Sequence, residues 1–200
     1  MGENACGKTT LAKHMNGLIL PTSGDVFVEN INTKQSHNCS KIAKIVSMTF
    51  QNPDEQIIHS TPEDEIAFNL ENICFTSEKM SERISQVLDF VGLKGHEKRC
   101  TDSLSGGQKQ KLMLACALAT KPKVMILDEV TSMLDPIAKR KITDILLKIN
   151  QTQKTSIIMI THDANEAALA EKVLLMKNGE IKNTCINPDA QEIISILENL

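Results

Sequence analysis

The run Gly2-Glu3-Asn4-Ala5-Cys6-Gly7-Lys8-Thr9 at the head of the chain constrains it more than any other stretch. It satisfies the pattern G-x-x-x-x-G-K-[ST] at every position, and the spacing has a mechanical reason. A glycine-rich turn points successive backbone N–H groups into a nest that holds phosphate oxygens. Lys8 then reaches the β- and γ-phosphates, and the Thr9 hydroxyl sits on Mg²⁺. The residues from Thr9 to Met15 read as a helix whose N-terminal dipole favours the same anion. Gly2, Asn4, Cys6, Gly7, Lys8, Thr9 and Thr10 are therefore candidate phosphate-binding residues. A glycine-rich turn that meets the pattern by chance is the alternative, and the rest of the chain has to decide between them.

The bulk properties fit a single domain with a real core: 200 residues, 41% apolar and 24% charged. A net charge of −3 gives no electrostatic footprint for nucleic acid or an anionic membrane. The six cysteines (Cys6, Cys39, Cys74, Cys100, Cys116, Cys185) include no C-x-x-C pair, which argues against zinc and against a disulfide framework. No apolar run is long enough to span a membrane and no signal peptide precedes Gly2, so the expectation is a soluble intracellular domain.

Downstream, strand and helix patterns alternate. Asp25–Glu29 alternates like a half-buried strand after the turn at Pro21–Gly24, and Asn38–Lys44 fits a short helix. Lys44–Phe50 is a β-branched, apolar run expected to be a buried strand that delivers Gln51. Residues 61–93 turn helical: Thr61 as N-cap, Pro62 at the first position, acids in the first turn, and a second helix from Ser81. Another helix follows Leu104-Ser105-Gly106-Gly107-Gln108 and stops at Pro122. Val124–Leu127 is a fully apolar strand ending in Asp128-Glu129, and a helix from Pro136 to about Asn150 leads to a buried strand at Ser156–Ile160. Residues 172–185 read as a hairpin turning at Asn178-Gly179, and residues 189–199 as a final amphipathic helix. This alternation predicts an α/β fold with a mostly parallel sheet covered on both faces, and a helical lobe over residues 61–121.

The polar residues of interest each follow a strand, where open α/β sheets place ligands. Asp128 suits a carboxylate that holds Mg²⁺ beside a phosphate loop, and Glu129 suits a group that polarises an attacking water. His162, after the strand at Ser156–Ile160, suits a γ-phosphate contact; a structural hydrogen-bonding role is its alternative. Gln51 by itself reads as a loop polar residue.

Taken together and in this order, the phosphate loop, Gln51, Leu104-Ser105-Gly106-Gly107-Gln108, Asp128-Glu129, Ser132-Met133-Leu134-Asp135 and His162 resemble the ATP-binding cassette family over essentially the whole chain. The resemblance implies a P-loop NTPase fold with a helical signature subdomain, and a head-to-tail dimer that sandwiches two ATP molecules with Mg²⁺. It implies that Ser105, Gly106, Gly107 and Gln108 bind the γ-phosphate held by the partner's loop, and that Asp135 links the two sites. Glu129 would be the base or water-positioning group, with His162 and Gln51 at the γ-phosphate and Gln51 also on the metal with Thr9 and Asp128. Small residues admitting close backbone approach at a helix start agree with that role.

A narrower similarity lies in Phe50-Gln51-Asn52-Pro53-Asp54-Glu55-Gln56, Glu63-Asp64-Glu65-Ile66-Ala67-Phe68 and Glu71-Asn72, which look like the ATP-binding subunits of energy-coupling factor transporters. Residues 131–136 and 160–163 look most like the first of their two paralogous ATPases. That family implies a peripheral protein on the cytoplasmic side of the membrane, paired with an identical or paralogous ATPase. It further implies a transmembrane coupling protein and a substrate-binding membrane subunit, which together take up vitamins or transition-metal ions. The Gln51–Phe68 region would receive coupling helices, although acids at 63–65 are also ordinary for a helix start.

Against the family pattern, the strands and the adenine-stacking aromatic expected ahead of the phosphate loop are missing, and the chain has no Tyr or Trp. The expectation is a cassette shortened at its N-terminus that binds ATP poorly and hydrolyses it slowly by itself. Cys6, beside Lys8 and a helix start, is either a reactive thiol whose alkylation blocks nucleotide or an inert small residue. A non-transport cassette protein and a catalytically silent remnant are the competing functional readings.

Overall fold

The computed structural model describes residues 1–35 and 38–199. In chain order its first elements are α1 (Lys8–Met15), β1 (Phe27–Val28), β2 (Ile31–Asn32), α2 (Cys39–Ile45), β3 (Val46–Thr49), α3 (Pro62–Asn72), α4 (Ser77–Val91) and α5 (Gly106–Ala119). They are followed by β4 (Val124–Asp128), α6 (Pro136–Gln153), β5 (Ser156–Ile160), α7 (Ala164–Ala167), β6 (Lys172–Lys177), β7 (Glu180–Ile186) and α8 (Ala190–Glu198).

The frame is a parallel sheet in the order β3-β4-β5, with Val46 opposite Val124 and Val124 opposite Ser156. Its central strand β4 carries Met125, Ile126 and Leu127, all fully buried, because parallel strands covered on both faces need apolar residues on both. Met125 and Leu127 face a large cluster that continues through α3, α4, α5 and α6. Ile126 faces the other way, into a smaller cluster with Ala12 of α1, Ile42 of α2, Val46 and Ile160. Two layers of helix therefore clamp the sheet and fix the direction in which β3, β4 and β5 deliver their C-terminal ends.

α5 is the central helix of the larger layer: every residue from Leu112 to Ala119 is buried. A helix apolar all round belongs inside a protein, and this one packs against α3, α4 and α6. Its last carbonyls cannot be met within the helix, and Arg83 of α4 meets them, donating Nε to Ala119 O at 3.0 Å and Nη2 to Leu118 O at 2.5 Å. Burial pulls the Arg83 guanidinium below its ordinary pKa. α3 starts as its sequence signals require, with the Thr61 hydroxyl accepting from Asp64 N and Pro62 at the first position.

Some expected boundaries move. Asp25–Glu29 is not a half-buried strand: only Phe27 and Val28 pair, with Ile31 and Asn32, and Phe27 is 61% exposed. Glu29 and Asn30 both have positive φ (47° and 65°), so the chain turns back before a longer strand can form. The second helix of the lobe begins at Ser77 rather than Ser81, because Cys74 at φ 56° makes the turn earlier. Lys44 and Ile45 belong to α2, and β3 starts at Val46. β5 is only half covered: Ser156 and Ile158 are exposed, and the strand lies at one edge of the three-stranded sheet. The hairpin β6–β7 turns at Asn178-Gly179, both at positive φ (51° and 80°), as the dipeptide requires.

Candidate active site

The phosphate loop hangs from β6. The Met1 amino group donates to Leu174 O at 2.7 Å, Met176 N donates to Met1 O at 2.8 Å, and Gly2 forms a parallel bridge with Met176. Burial, and then the charge of Lys8, lower the pKa of that amino group. Gly2 has φ 147°, and a Cβ there would lie 2.1 Å from Met176 O, so only glycine lets the loop sit this close to the strand. The loop's far side is held by Gly179 N donating to Cys6 O at 3.0 Å, and Gly7, in the left-handed region at φ 98°, turns the chain into α1.

Lys8 is folded back on its own loop. Its Nζ donates to Gly2 O at 3.0 Å and to Glu3 O at 2.8 Å, and lies 3.9 Å from Cys6 Sγ. A cation satisfied by two carbonyls closes the loop on itself, so an anion arriving there has to draw Lys8 away from them. The Cys6 thiol is 5% exposed, beneath Lys8 and against Gly2. Of the two sequence readings of Cys6, that burial matches the inert small residue. Asn4 and Thr10 are exposed, and Thr9 is half-buried on the first turn of α1.

Opposite the loop, the ends of the parallel strands bring their polar residues together. Asp128 ends β4 and is buried. Glu129 follows at φ 50°, an unusual left-handed conformation for a non-glycine residue, and its N–H donates to Ile160 O at 3.0 Å. That bond ties the end of β4 to the end of β5, which sets Glu129 Oε2 3.9 Å from His162 Nδ1. Ser132 closes the group: its hydroxyl donates to Glu129 O at 2.8 Å and accepts from Gln51 Nε2 at 3.1 Å. Gln51 and Glu129, 78 positions apart in sequence, are thus joined through one hydroxyl. A cleft of about 570 Å³ runs between Gly2, Asn4, Gln51, Glu129, Ser132 and His162.

Ser105, Gly106, Gly107, Gln108 and Asp135 are not among the residues lining that cleft. Ser105 instead makes a reciprocal cap on α5: its hydroxyl accepts from Gln108 N at 3.3 Å while Gln108 Oε1 accepts from Ser105 N at 2.9 Å. Asp135 caps α6, with Oδ1 accepting from Ile137 N and Ala138 N at 2.9 and 3.0 Å. Ser105, Gly106 and Asp135 are exposed, so two helix starts stand open away from the chain's own cleft.

A separate groove of about 270 Å³ lies between Asp54, Ile57, His59, Asp102 and Lys109. Its wall is fixed by Glu65, 3% exposed, whose Oε2 accepts from Ile58 N at 2.9 Å and His59 N at 2.8 Å and lies 3.2 Å from His59 Nδ1. Lys109, next after the Gln108 cap, is ion-paired with Asp54.

The chain's sequence and its fold both match known proteins. The family model described as "ABC transporter" matches residues 1–132. The chain belongs to the ABC transporter family.

Within this family the chain is similar to proteins named as energy-coupling factor transporter ATP-binding proteins. It is 43% identical to EcfA1 of Mycoplasma mobile over 90% of its own length and 66% of that protein's. To EcfA1 of Enterococcus faecalis it is 42% identical over 92% and 65%. The chain spans just under two thirds of the length of these curated relatives. Among solved structures, cbiO1 of Clostridium perfringens, part of the ABC transporter complex cbiONQ, superimposes with a TM-score of 0.86 at 28% identity, covering 98% of this chain and 77% of that one. A dimeric ATP-binding cassette in a post-hydrolysis state bound to ADP and Pi gives 0.83 at 26% identity, covering 94% and 84%. The α/β ABC ATPase fold expected from the motifs is therefore the fold of this chain.

Sequence reasoning missed three residues in or behind the site. Ser132 stood inside a quoted motif with no role, and its link to Gln51 joins the segments that follow β4 and β3, which no local pattern reports. Lys139 of α6 and Glu166 of α7, which pair with each other, carry no local sign of that pairing or of the burial of Glu166.

Proposed function

We propose that this ABC transporter family member is the ATP-binding and ATP-hydrolysing subunit of an energy-coupling factor type importer. The observation that carries the reading is the cleft with the phosphate loop on one side and Glu129, His162 and Gln51 on the other, with Glu129 Oε2 3.9 Å from His162 Nδ1. The names of the relatives support the transporter class.

In this reading the backbone N–H groups of residues 2–10 cradle the phosphates of ATP, and Lys8 exchanges the Gly2 and Glu3 carbonyls for phosphate oxygens. Glu129 orients the attacking water and accepts its proton, and His162, beside it, donates to the γ-phosphate. The donor set suits Mg²⁺: the Thr9 hydroxyl, the Gln51 amide oxygen and the Asp128 carboxylate are all hard oxygen ligands, and Gln51 keeps its oxygen free of the Ser132 bond, which uses Nε2. When bound, the metal neutralises charge developing on the phosphates. Gln51 transmits a change at the nucleotide through Ser132 to the Glu129 backbone.

The open helix starts at Ser105–Gln108 and Asp135 support a head-to-tail dimer with an identical or paralogous ATPase, in which Ser105, Gly106, Gly107 and Gln108 complete the partner's site. The groove at Asp54, His59 and Lys109 would take a coupling helix of a transmembrane subunit, working with a separate substrate-binding membrane subunit for vitamins or metal ions. Residues 1–200 form one ATP-binding domain in this reading, with residues 61–121 as its signature subdomain. The protein sits peripherally on the cytoplasmic face of the membrane and uses no nucleic acid.

The test is equilibrium binding of Mg-ATP to the assembled ATPase pair, with Lys8→Ala as the comparison. Saturable binding weakened at least tenfold by Lys8→Ala supports the nucleotide site; equal binding by both chains refutes it. Co-purification with a multi-spanning membrane subunit, lost when Asp54 and Lys109 are both exchanged for alanine, supports the transport reading. Unchanged capture would remove that groove from it.

A further inference from the structure

His162 is exposed and makes its Glu129 contact at the edge of the cleft, so something else has to hold its ring there. Both neighbours in the chain are anchored. Thr161 Oγ1 donates to Glu166 Oε2 at 2.5 Å and accepts from Asp163 N at 3.0 Å. Asp163 Oδ1 caps α7, accepting from Asn165 N at 2.8 Å and Glu166 N at 3.4 Å. The remaining oxygens of both acids point to one cation: Lys139 Nζ is hydrogen-bonded to Asp163 Oδ2 and lies 3.6 Å from Glu166 Oε1.

The placement of that cation gives it consequence. Lys139 lies in the first turn of α6, its N–H donating to Asp135 O at 2.9 Å, directly after the cap whose carboxylate stands open beyond the cleft. Glu166 is 7% exposed, and its Oε1 has no hydrogen-bond partner, so Lys139 supplies its nearby positive charge. A buried carboxylate that loses its counter-charge must move or take up a proton, and a Glu166 that moves toward water withdraws the acceptor of Thr161 Oγ1.

We propose that Lys139 is a positioning residue for His162, clasping Asp163 and Glu166 so that the start of α6 at Asp135 and the loop bearing His162 move as one unit. The inference rests on the ATPase reading. Lys139 touches neither cleft nor nucleotide loop; it fixes the distance from His162 to Glu129, and it makes any shift of Asp135 felt at His162.

The experiment compares Lys139→Met, Lys139→Arg and the double variant Lys139→Met/Glu166→Gln, which removes the clasp without leaving a buried charge unpaired. In the assembled ATPase, both Met variants are expected to lower kcat at least tenfold while KM for ATP stays within about twofold, since the phosphate loop is untouched. Lys139→Arg restores kcat to within about threefold. A kcat unchanged in the double variant, a loss shared equally by KM, or an arginine no better than methionine would overturn the proposal. Amide hydrogen exchange of the isolated chain decides independently of hydrolysis: residues 162–167 are expected to exchange at least tenfold faster in the double variant, with β4 unchanged. Were the wild-type complex to hydrolyse no ATP, the ATPase reading would fail, and unchanged exchange at residues 162–167 would overturn the clasp on its own.

Discussion

Glu65→Ala removes a carboxylate whose Oε2 accepts from the backbone of both Ile58 and His59, at 2.9 and 2.8 Å. Alanine leaves both amides without an acceptor, and an unsatisfied donor costs about 1–3 kcal/mol. Ile58 is exposed, so water reaches part of this strip and the cost per amide falls to the low end of that range. Removing an almost fully buried charge relieves some desolvation in return. The expected destabilisation is at most about 2 kcal/mol, which for a domain of this size lowers Tm by roughly 4–8 °C. Urea unfolding gives the free energy, and hydrogen exchange at the Ile58 and His59 amides gives its location. Glu65→Gln keeps an acceptor without the charge and is expected to cost about 1 kcal/mol. A change under about 0.5 kcal/mol for Glu65→Ala, with both amides still protected, would refute the claim that this carboxylate holds the groove wall.

Gly2→Ala places a Cβ 2.1 Å from Met176 O at φ 147°, so the bridge to β6 must open; ATP affinity measured by titration is expected to fall at least tenfold, and unchanged affinity would mean the loop does not need this seat. Gly106→Val is expected to leave thermal stability within about 0.5 kcal/mol, because a Cβ there meets nothing within 4 Å, yet to abolish ATP-driven pairing in size-exclusion runs; pairing at wild-type levels would contradict the role of this helix start. The Lys139–Asp163 clasp carries its own pH window. The hydrogen bond from Lys139 holds Asp163 below its ordinary 3.8; burial lowers Lys139, but the hydrogen bond to Asp163 and the charge of Glu166 outweigh it and raise Lys139 above 10.5. The depressed acid contributes stability that is lost as pH falls through its folded pKa, and the raised lysine contributes stability lost as pH rises through its own. The Tm difference between wild type and Lys139→Met is therefore expected to be flat from about pH 5 to pH 10 and to shrink outside that range; a difference that peaks at pH 7 would contradict the assignment.

What could be read from the sequence was whatever a local rule decides. Met125–Leu127 had to be buried on both faces, Asn178-Gly179 had to turn, and Thr61-Pro62 had to start a helix, because strand burial, left-handed turns and caps are set within a few residues. The order of the motifs carried the family, and three of them, Gln51, Asp128-Glu129 and His162, sit at the ends of strands of one parallel sheet. Boundaries set by tertiary contacts were not legible. Ser77–Met80 is too polar to show periodicity, although Met80 packs on the core. Ser156–Ile160 reads as wholly buried because an apolar run does not say which strand lies at a sheet edge. The links Gln51–Ser132 and Lys139–Glu166 cross between elements, so nothing in the neighbouring residues announces them. The retreat of Lys8 onto the Gly2 and Glu3 carbonyls was hidden for another reason: the motif describes the liganded cradle.

The central claim is that Gly2–Thr9 and Glu129 form one hydrolytic site. It is tested most directly by single-turnover release of phosphate from the assembled ATPase pair, comparing wild type with Glu129→Gln when the partner's site has been silenced. The expected result is ATP bound by both, with phosphate released by the wild type and slowed about 10²- to 10⁴-fold in the variant, the range for loss of a general base. Phosphate release at the wild-type rate from Glu129→Gln would contradict it.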